Sequence, residues 1–130
     1  MSNLSTVAID KKPFKGKGAQ NWHASSLRQY QKVLKEMRQF SEDSKLSGGR
    51  NYYVMLNHRP DTGQYFLRWR SYGEKHIHLS WEQIKPAVDS MSDYLRSYYY
   101  EANLYIDLLN AQERAARTAL NMAVKLCESI

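Results

Sequence analysis

Residues 52–70 read YYVMLNHRPDTGQYFLRWR, and this stretch decides the fold. Its two arms, Tyr52 to Leu56 and Gln64 to Arg70, are rich in the aromatic and branched residues that favour strands. Between them, Pro60 and Gly63 stand at positions typical of a tight turn. The stretch therefore predicts a β-hairpin.

A third strand follows the hairpin. A second turn at Tyr72-Gly73-Glu74 leads into the short apolar and polar run Lys75 to Leu79. Three short strands joined by two short turns predict an antiparallel β-meander over residues 51–79.

The alternation of side chains along a strand assigns residues to two faces of this sheet. We expect helices to cover the apolar face, which comprises Tyr65, Leu67, Trp69, Ile77 and Leu79. The other face then carries Arg68, Arg70, His76 and His78. A three-stranded sheet needs only one covered face, so the sequence predicts a basic face open to solvent.

Residues 21–44 predict an amphipathic helix upstream of the sheet. Leu27, Tyr30, Leu34 and Met37 recur at helical spacing there. Residues 1–20 show no period and combine Pro13 with several lysines, which predicts a flexible basic arm.

A long helix is predicted over residues 81–130. Ser80 and Gln83 fit a capping box at its start, and Pro86 should kink the helix or force it to restart. Beyond Pro86, apolar residues advance by alternating steps of 3 and 4, as in a heptad seam. A continuous helix of this span is about 60 Å long, so its seam should meet the first helix and a second copy of the chain. The residues expected to mediate oligomerisation are Tyr98, Tyr105, Leu109, Ala116, Ala119 and Leu126. A second stripe beside the seam comprises Leu104, Leu108, Ala111, Ala115 and Met122.

These elements predict a single α+β domain over residues 21–130: a helix, a three-stranded antiparallel meander and a long helix that makes the protein a homodimer. The chain contains 130 residues, which is enough to bury a core but too few for a large active site between two domains. We find no apolar run long enough to span a bilayer, no secretory signal and one cysteine, Cys127, so we expect a cytoplasmic protein.

The charge distribution favours a polyanionic partner. The chain has 19 Lys and Arg against 13 Asp and Glu, a net charge of +6. The excess lies in residues 1–80, which hold 14 basic against 6 acidic residues. Basic residues there alternate with aromatic ones, a combination typical of nucleic-acid binding. The candidate DNA-contacting residues are Lys11, Lys12, Lys15, Lys17, Arg68, Arg70, Lys75, His76 and His78. In the alternative interpretation, Phe66 and Tyr72 pack under helix side chains, and the arginines only keep the face soluble.

No motif indicates catalysis. His76 and His78 have a spacing that suits two zinc ligands, but no third ligand is evident beyond the distant His58. Gly16-Lys17-Gly18 lacks the spacing of a phosphate-binding loop, and no nucleophile stands beside a suitable base. We therefore expect a protein that is not an enzyme and that binds neither a metal nor a cofactor.

Two short motifs, Lys12-Pro13-Phe14-Lys15-Gly16-Lys17-Gly18 and Phe66-Leu67-Arg68-Trp69-Arg70, resemble an uncharacterised family of small proteins. This family is carried by bacterial integrating conjugative elements, and some members are described as integrase regulator proteins. The resemblance covers mainly residues 11–70. Genes of this family resemble neighbours of single-strand-binding-protein and topoisomerase genes, which implies an accessory role in DNA processing, transfer or integration. The resemblance supplies no catalytic residues.

Two functions therefore remain open, and a third, a small nuclease or metal-dependent hydrolase, would require a bound metal. The first is a non-enzymatic DNA-binding accessory protein of a mobile genetic element. The alternative is a protein-interaction module, an adaptor or inhibitor whose long helix binds a partner through Leu104, Leu108 and Tyr99.

Overall fold

The computed structural model describes residues 17–47, 51–73 and 77–129. In chain order the elements are α1 (Lys17–Ser47), β1 (Tyr52–Arg59), β2 (Gln64–Ser71), β3 (His78–Leu79), α2 (Trp81–Asp89) and α3 (Asp93–Glu128). The strands form one antiparallel sheet in the order β1-β2-β3. The predicted α+β architecture is confirmed. Within these residues, no helix combines the length and the hydropathy that a membrane span requires.

The hairpin between β1 and β2 closes at Gly63. Its N–H donates to the Arg59 carbonyl at 2.8 Å, and its φ of 74° lies in the left-handed region that favours glycine. This turn fixes the register, in which Arg59 faces Gln64 and Val54 faces Trp69.

The core lies between one face of the sheet and helices α1 and α3. Leu67 and Trp69 are buried there, as predicted, while Tyr65 and Leu79 are half-buried against the core. The expectation for Ile77 is wrong, because its side chain is 52% exposed. Strand β3 contains only two residues and begins after Ile77, so Ile77 does not reach the covered face.

Helices α1 and α3 lie antiparallel. The ring of Phe40 meets that of Tyr105 at 4.7 Å, and farther along, Tyr30 donates to Glu113 at 2.8 Å. The two helices extend beyond the hairpin turn. Tyr30 contacts Gly63 in this turn, and α1 begins 13 residues before Tyr30, at Lys17.

Polar side chains of both helices complete the edges of the sheet. On the β1 side, Ser44 Oγ accepts from the Val54 N–H at 2.9 Å, and Ser41 Oγ donates to the Val54 carbonyl at 2.7 Å. On the β2 side, Asn110 accepts from the Leu67 N–H at 2.7 Å and donates to the Leu67 carbonyl at 3.1 Å. These bonds satisfy backbone groups that edge strands otherwise leave unpaired.

Two predicted boundaries are wrong. The helix predicted over residues 21–44 begins at Lys17, so residues 17–20 do not belong to the arm. The N–H groups of this first turn have no partner within the helix, and burial of Ala19 stabilises the turn.

The second boundary concerns the restart predicted near Pro86, because Pro86 itself lies inside α2. Burial of Ile84 and Val88 on either side holds α2 together despite the bond that Pro86 removes. The chain instead breaks at residues 90–92, between α2 and α3. The predicted capping box of Ser80 and Gln83 is confirmed.

Candidate nucleic-acid interface

The sheet face that points away from the helices is basic. Residues paired across antiparallel strands share a face, so Arg68 lies beside Met55, and Arg70 lies between Tyr53 and His78. Together the three strands carry three arginines, two histidines and no carboxylate. We call Tyr53, Arg59, Phe66, Arg68, Arg70, Tyr72 and His78 the open face.

Aromatic rings accompany the cations of the open face. The guanidinium carbon of Arg59 lies 4.8 Å from the centre of the Phe66 ring, and the rings of Tyr53 and Tyr72 are 4.6 Å apart. Phe66 therefore packs under an arginine rather than under a helix. Arg59 is not among the residues predicted from the sequence to contact DNA, although alternation along β1 from Tyr53 places it on the same face.

The pKa of His78 reflects the positive charge of this face. Partial burial, and then the nearby guanidinium groups of Arg68 and Arg70, lower the pKa of His78 below its ordinary 6.5. A bound anion would offset the influence of these two cations.

Two further cations border the sheet on the β1 side. Lys45 Nζ lies 5.9 Å from the centre of the Tyr53 ring, and the Arg38 guanidinium lies 6.0 Å from that of Tyr65. Both belong to α1, but Tyr65 lies on the covered side of the sheet, so only Lys45, which also pairs with Glu42 at 3.5 Å, adjoins the open face.

The remaining candidates differ in position. Arg68, Arg70 and His78 come together on the open face. Lys17 does not, because it stands at the far end of α1, about 20 Å along the helix from the turn-contacting Tyr30. Lys11, Lys12, Lys15, Lys75 and His76 lie outside the described residues.

A cleft of about 330 Å³ adjoins Arg68 where β3 ends and α2 begins. Trp81 lines it, and the Trp69 indole donates to Asn103 Oδ1 at 3.0 Å on its wall. The carboxylates of Glu82 and Asp107 also line the cleft, so it does not extend the surface for a polyanion.

His58 and His78 do not come together in a metal site. His58 stacks on Tyr65 at 4.2 Å on the covered side, whereas His78 belongs to the open face. Over residues 17–47, 51–73 and 77–129, no group of three His, Cys, Asp or Glu could hold a metal ion.

The predicted oligomerisation seam packs largely within the chain. Leu109 and Ala116 are buried, Tyr105 meets Phe40, Tyr98 and Ala119 are half-buried, and Leu126 is 47% exposed. Helix α1 therefore occupies the position that the prediction also gave to a second copy. Tyr99 is only 1% exposed, so its predicted contact with a partner is wrong: its ring packs against Trp69 and Tyr52 in the core.

The second stripe of α3 is exposed. Leu104 is 69% exposed, Leu108 50% and Met122 56%, and the two alanines between them are also exposed. We call Leu104, Leu108, Ala111, Ala115 and Met122 the apolar stripe.

Comparisons with known proteins identify no relative: no protein-family model, curated protein or solved structure matches this chain.

Proposed function

We propose that this protein is a non-enzymatic DNA-binding accessory protein of a mobile genetic element. In this proposal it acts in DNA processing, transfer or integration control in the bacterial cytoplasm. The observation that supports binding is the open face, where Arg59, Arg68 and Arg70 share a surface with aromatic rings on strands that carry no carboxylate. The assignment to a mobile element rests on the two motifs quoted above.

The chemistry of the open face suits phosphate. Arginine donates from a planar fork that matches two phosphate oxygens, and each neutralised phosphate releases condensed counterions from the DNA. Stacking over Phe66 pre-orders the Arg59 guanidinium, which lowers the entropic cost of binding.

The test is fluorescence anisotropy with labelled duplex and single-stranded DNA over a salt series. Arg68→Gln/Arg70→Gln should flatten the log–log dependence of affinity on salt by about 1 to 2 units. A matched control, Arg114→Gln/Lys125→Gln, removes two exposed charges from α3 and should leave the slope unchanged. Absence of binding by the wild type at low salt, or equal slopes for the two double variants, would refute the proposal.

The apolar stripe of α3 supports a second candidate function, a protein-interaction module. Contiguous exposed apolar residues on a helix are typical of helix-mediated recognition. In this candidate, a homodimer through α3 would also use the apolar stripe, since α1 packs against the predicted seam.

Leu108→Asp tests whether two copies of the chain pair through the apolar stripe. Because Leu108 is 50% exposed, the variant should fold normally and bind DNA normally. Loss of self-association in sedimentation analysis would support pairing of two copies, and an unchanged mass would argue against it.

A further inference from the structure

Helix α1 carries a row of unpaired cations on its exposed side. Lys17, Arg28, Lys32 and Lys35 are separated by 11, 4 and 3 residues, which places them on one side of a helix. All four are exposed, and none has an acidic partner among the described residues. We call these four residues the basic stripe.

The basic stripe differs from an ordinary solvated helix face. Surface helices usually mix charges of both signs at spacings of three and four residues, which adds stability. The 19 residues from Lys17 to Lys35 contain four cations and no carboxylate, and the acidic residues of α1, Glu36, Glu42 and Asp43, all follow. The first carboxylate at helical spacing from the stripe is Glu36, four residues after Lys32, so repulsion among the four cations is compensated only at that end of the stripe.

The basic stripe lies on the side of α1 that points away from the core. Ser26, Val33 and Met37, about half a turn away, are buried. Farther along α1, the Arg38 guanidinium lies against the ring of Tyr65 on the covered side, and Lys45 pairs with Glu42 at 3.5 Å. The basic stripe is therefore a surface separate from the open face.

We propose that the basic stripe is a second DNA contact, which binds the phosphate backbone of duplex DNA on a surface separate from the open face. This inference rests on the proposed function and specifies that the DNA bound is a duplex. From Lys17 to Lys35 the basic stripe extends about 27 Å along α1, which is most of one turn of the duplex at about 34 Å.

The composition of the basic stripe favours duplex over single-stranded DNA. Surfaces for single strands interleave cations with exposed aromatic rings, on which unpaired bases stack. The stripe positions, the intervening Asn21 and Ala24, and the following Gln39 on the same side hold no aromatic residue. A rigid row of cations without rings matches a regular phosphate backbone.

The experiment compares Arg28→Gln/Lys32→Gln/Lys35→Gln with a control of equal charge change, Lys85→Gln/Arg114→Gln/Lys125→Gln. All six residues are exposed, and glutamine keeps high helix propensity, so circular dichroism should show both variants folded. Binding is measured by anisotropy on a labelled 30-base-pair duplex and a 30-nucleotide single strand over a salt series.

For the stripe variant, the duplex salt slope should flatten by about 2 to 3 units, and duplex affinity should fall on the order of 10- to 100-fold. The loss on the single strand should be smaller, and the control should change neither. An unchanged slope, an equal loss on both DNA forms, or an equal loss in the control would overturn the inference.

The two proposals fail in distinguishable ways. If Arg68→Gln/Arg70→Gln flattens the slope and the stripe variant does not, the open face binds DNA and the stripe inference is wrong. If the stripe variant loses binding only to phosphatidylserine-containing vesicles, its ligand is an anionic membrane and the inference is again wrong. If the wild type binds neither DNA, both proposals are wrong.

Discussion

The Glu113 carboxylate oxygen Oε2 accepts a hydrogen bond from the backbone N–H of Tyr65 at 3.1 Å, across 48 residues of chain. The same oxygen accepts from the Tyr30 hydroxyl at 2.8 Å and from Arg117 Nε at 3.0 Å. One fully buried side chain of α3 therefore joins α1, the start of β2 and its own helix. Strand β3 pairs only with the C-terminal end of β2. Along the N-terminal end of β2, Glu113 and Asn110 therefore bond to the backbone in place of a neighbouring strand.

Glu113→Ala should destabilise the fold by about 3 to 5 kcal/mol, because it leaves the Tyr65 N–H, the Tyr30 hydroxyl and the Arg117 charge without their partner. Glu113→Gln keeps an acceptor of the same shape and should cost less. Urea denaturation measures both. The control Glu101→Ala, at an exposed position of α3, should stay within about 0.5 kcal/mol of wild type. Equal stability of Glu113→Ala and the control would contradict the bridging role.

Asn110→Leu should destabilise the β2 edge of the sheet. It fills a similar volume but removes the two bonds to Leu67, at a cost of about 1 to 3 kcal/mol for each unpaired buried group. Hydrogen exchange of the Leu67 amide should accelerate more than that of Val54, whose N–H bonds to Ser44 on the opposite edge. Gln112→Leu, an exposed neighbour, serves as the control. Unchanged Leu67 protection would show that Asn110 does not hold this edge.

Tyr30 should make stability fall at alkaline pH. Burial, and then the hydrogen bond to Glu113, raise the pKa of its hydroxyl well above the ordinary 10.0. The unfolded chain then loses this proton more readily than the folded one, so the contribution of Tyr30 is complete below pH 10.0 and declines as the pH rises further. Denaturation between pH 8 and 11 should show a decline that Tyr30→Phe reduces. An equal decline in that variant would assign the effect to other groups.

The sequence predicted the parts of this structure that depend on local pattern. Alternation in β2 identified Leu67 and Trp69 as core residues, and helical spacing identified both long helices. It did not identify the roles of Asn110 and Glu113, since a polar residue on a helix carries no local sign that it faces a strand edge. The seam of α3 was visible, but periodicity does not tell whether α1 or a second copy packs against it.

The sequence likewise predicted only the part of the candidate site that depends on local pattern. Arg68 and Arg70 stand out in β2, whereas Arg59 joins them only through the register of the hairpin and its contact with Phe66. The basic stripe could have been found from the spacing of Arg28, Lys32 and Lys35, because helix α1 itself was predicted.

His78 provides a direct report of anion binding to the open face. Its pKa lies below 6.5 because of partial burial and then the charges of Arg68 and Arg70, so Arg68→Gln should raise the titration midpoint seen by NMR. Since the unfolded chain binds this proton more readily, the effect of His78 on stability is unfavourable below pH 6.5 and disappears as the pH rises above it. Addition of duplex DNA should move the midpoint upward, because phosphate neutralises the neighbouring guanidinium groups and favours the imidazolium form. DNA should therefore bind more tightly as the pH falls from 7.5 to 6, and His78→Gln should reduce this dependence. A midpoint that DNA does not move would place the bound phosphates away from His78 and from the β2 end of the open face.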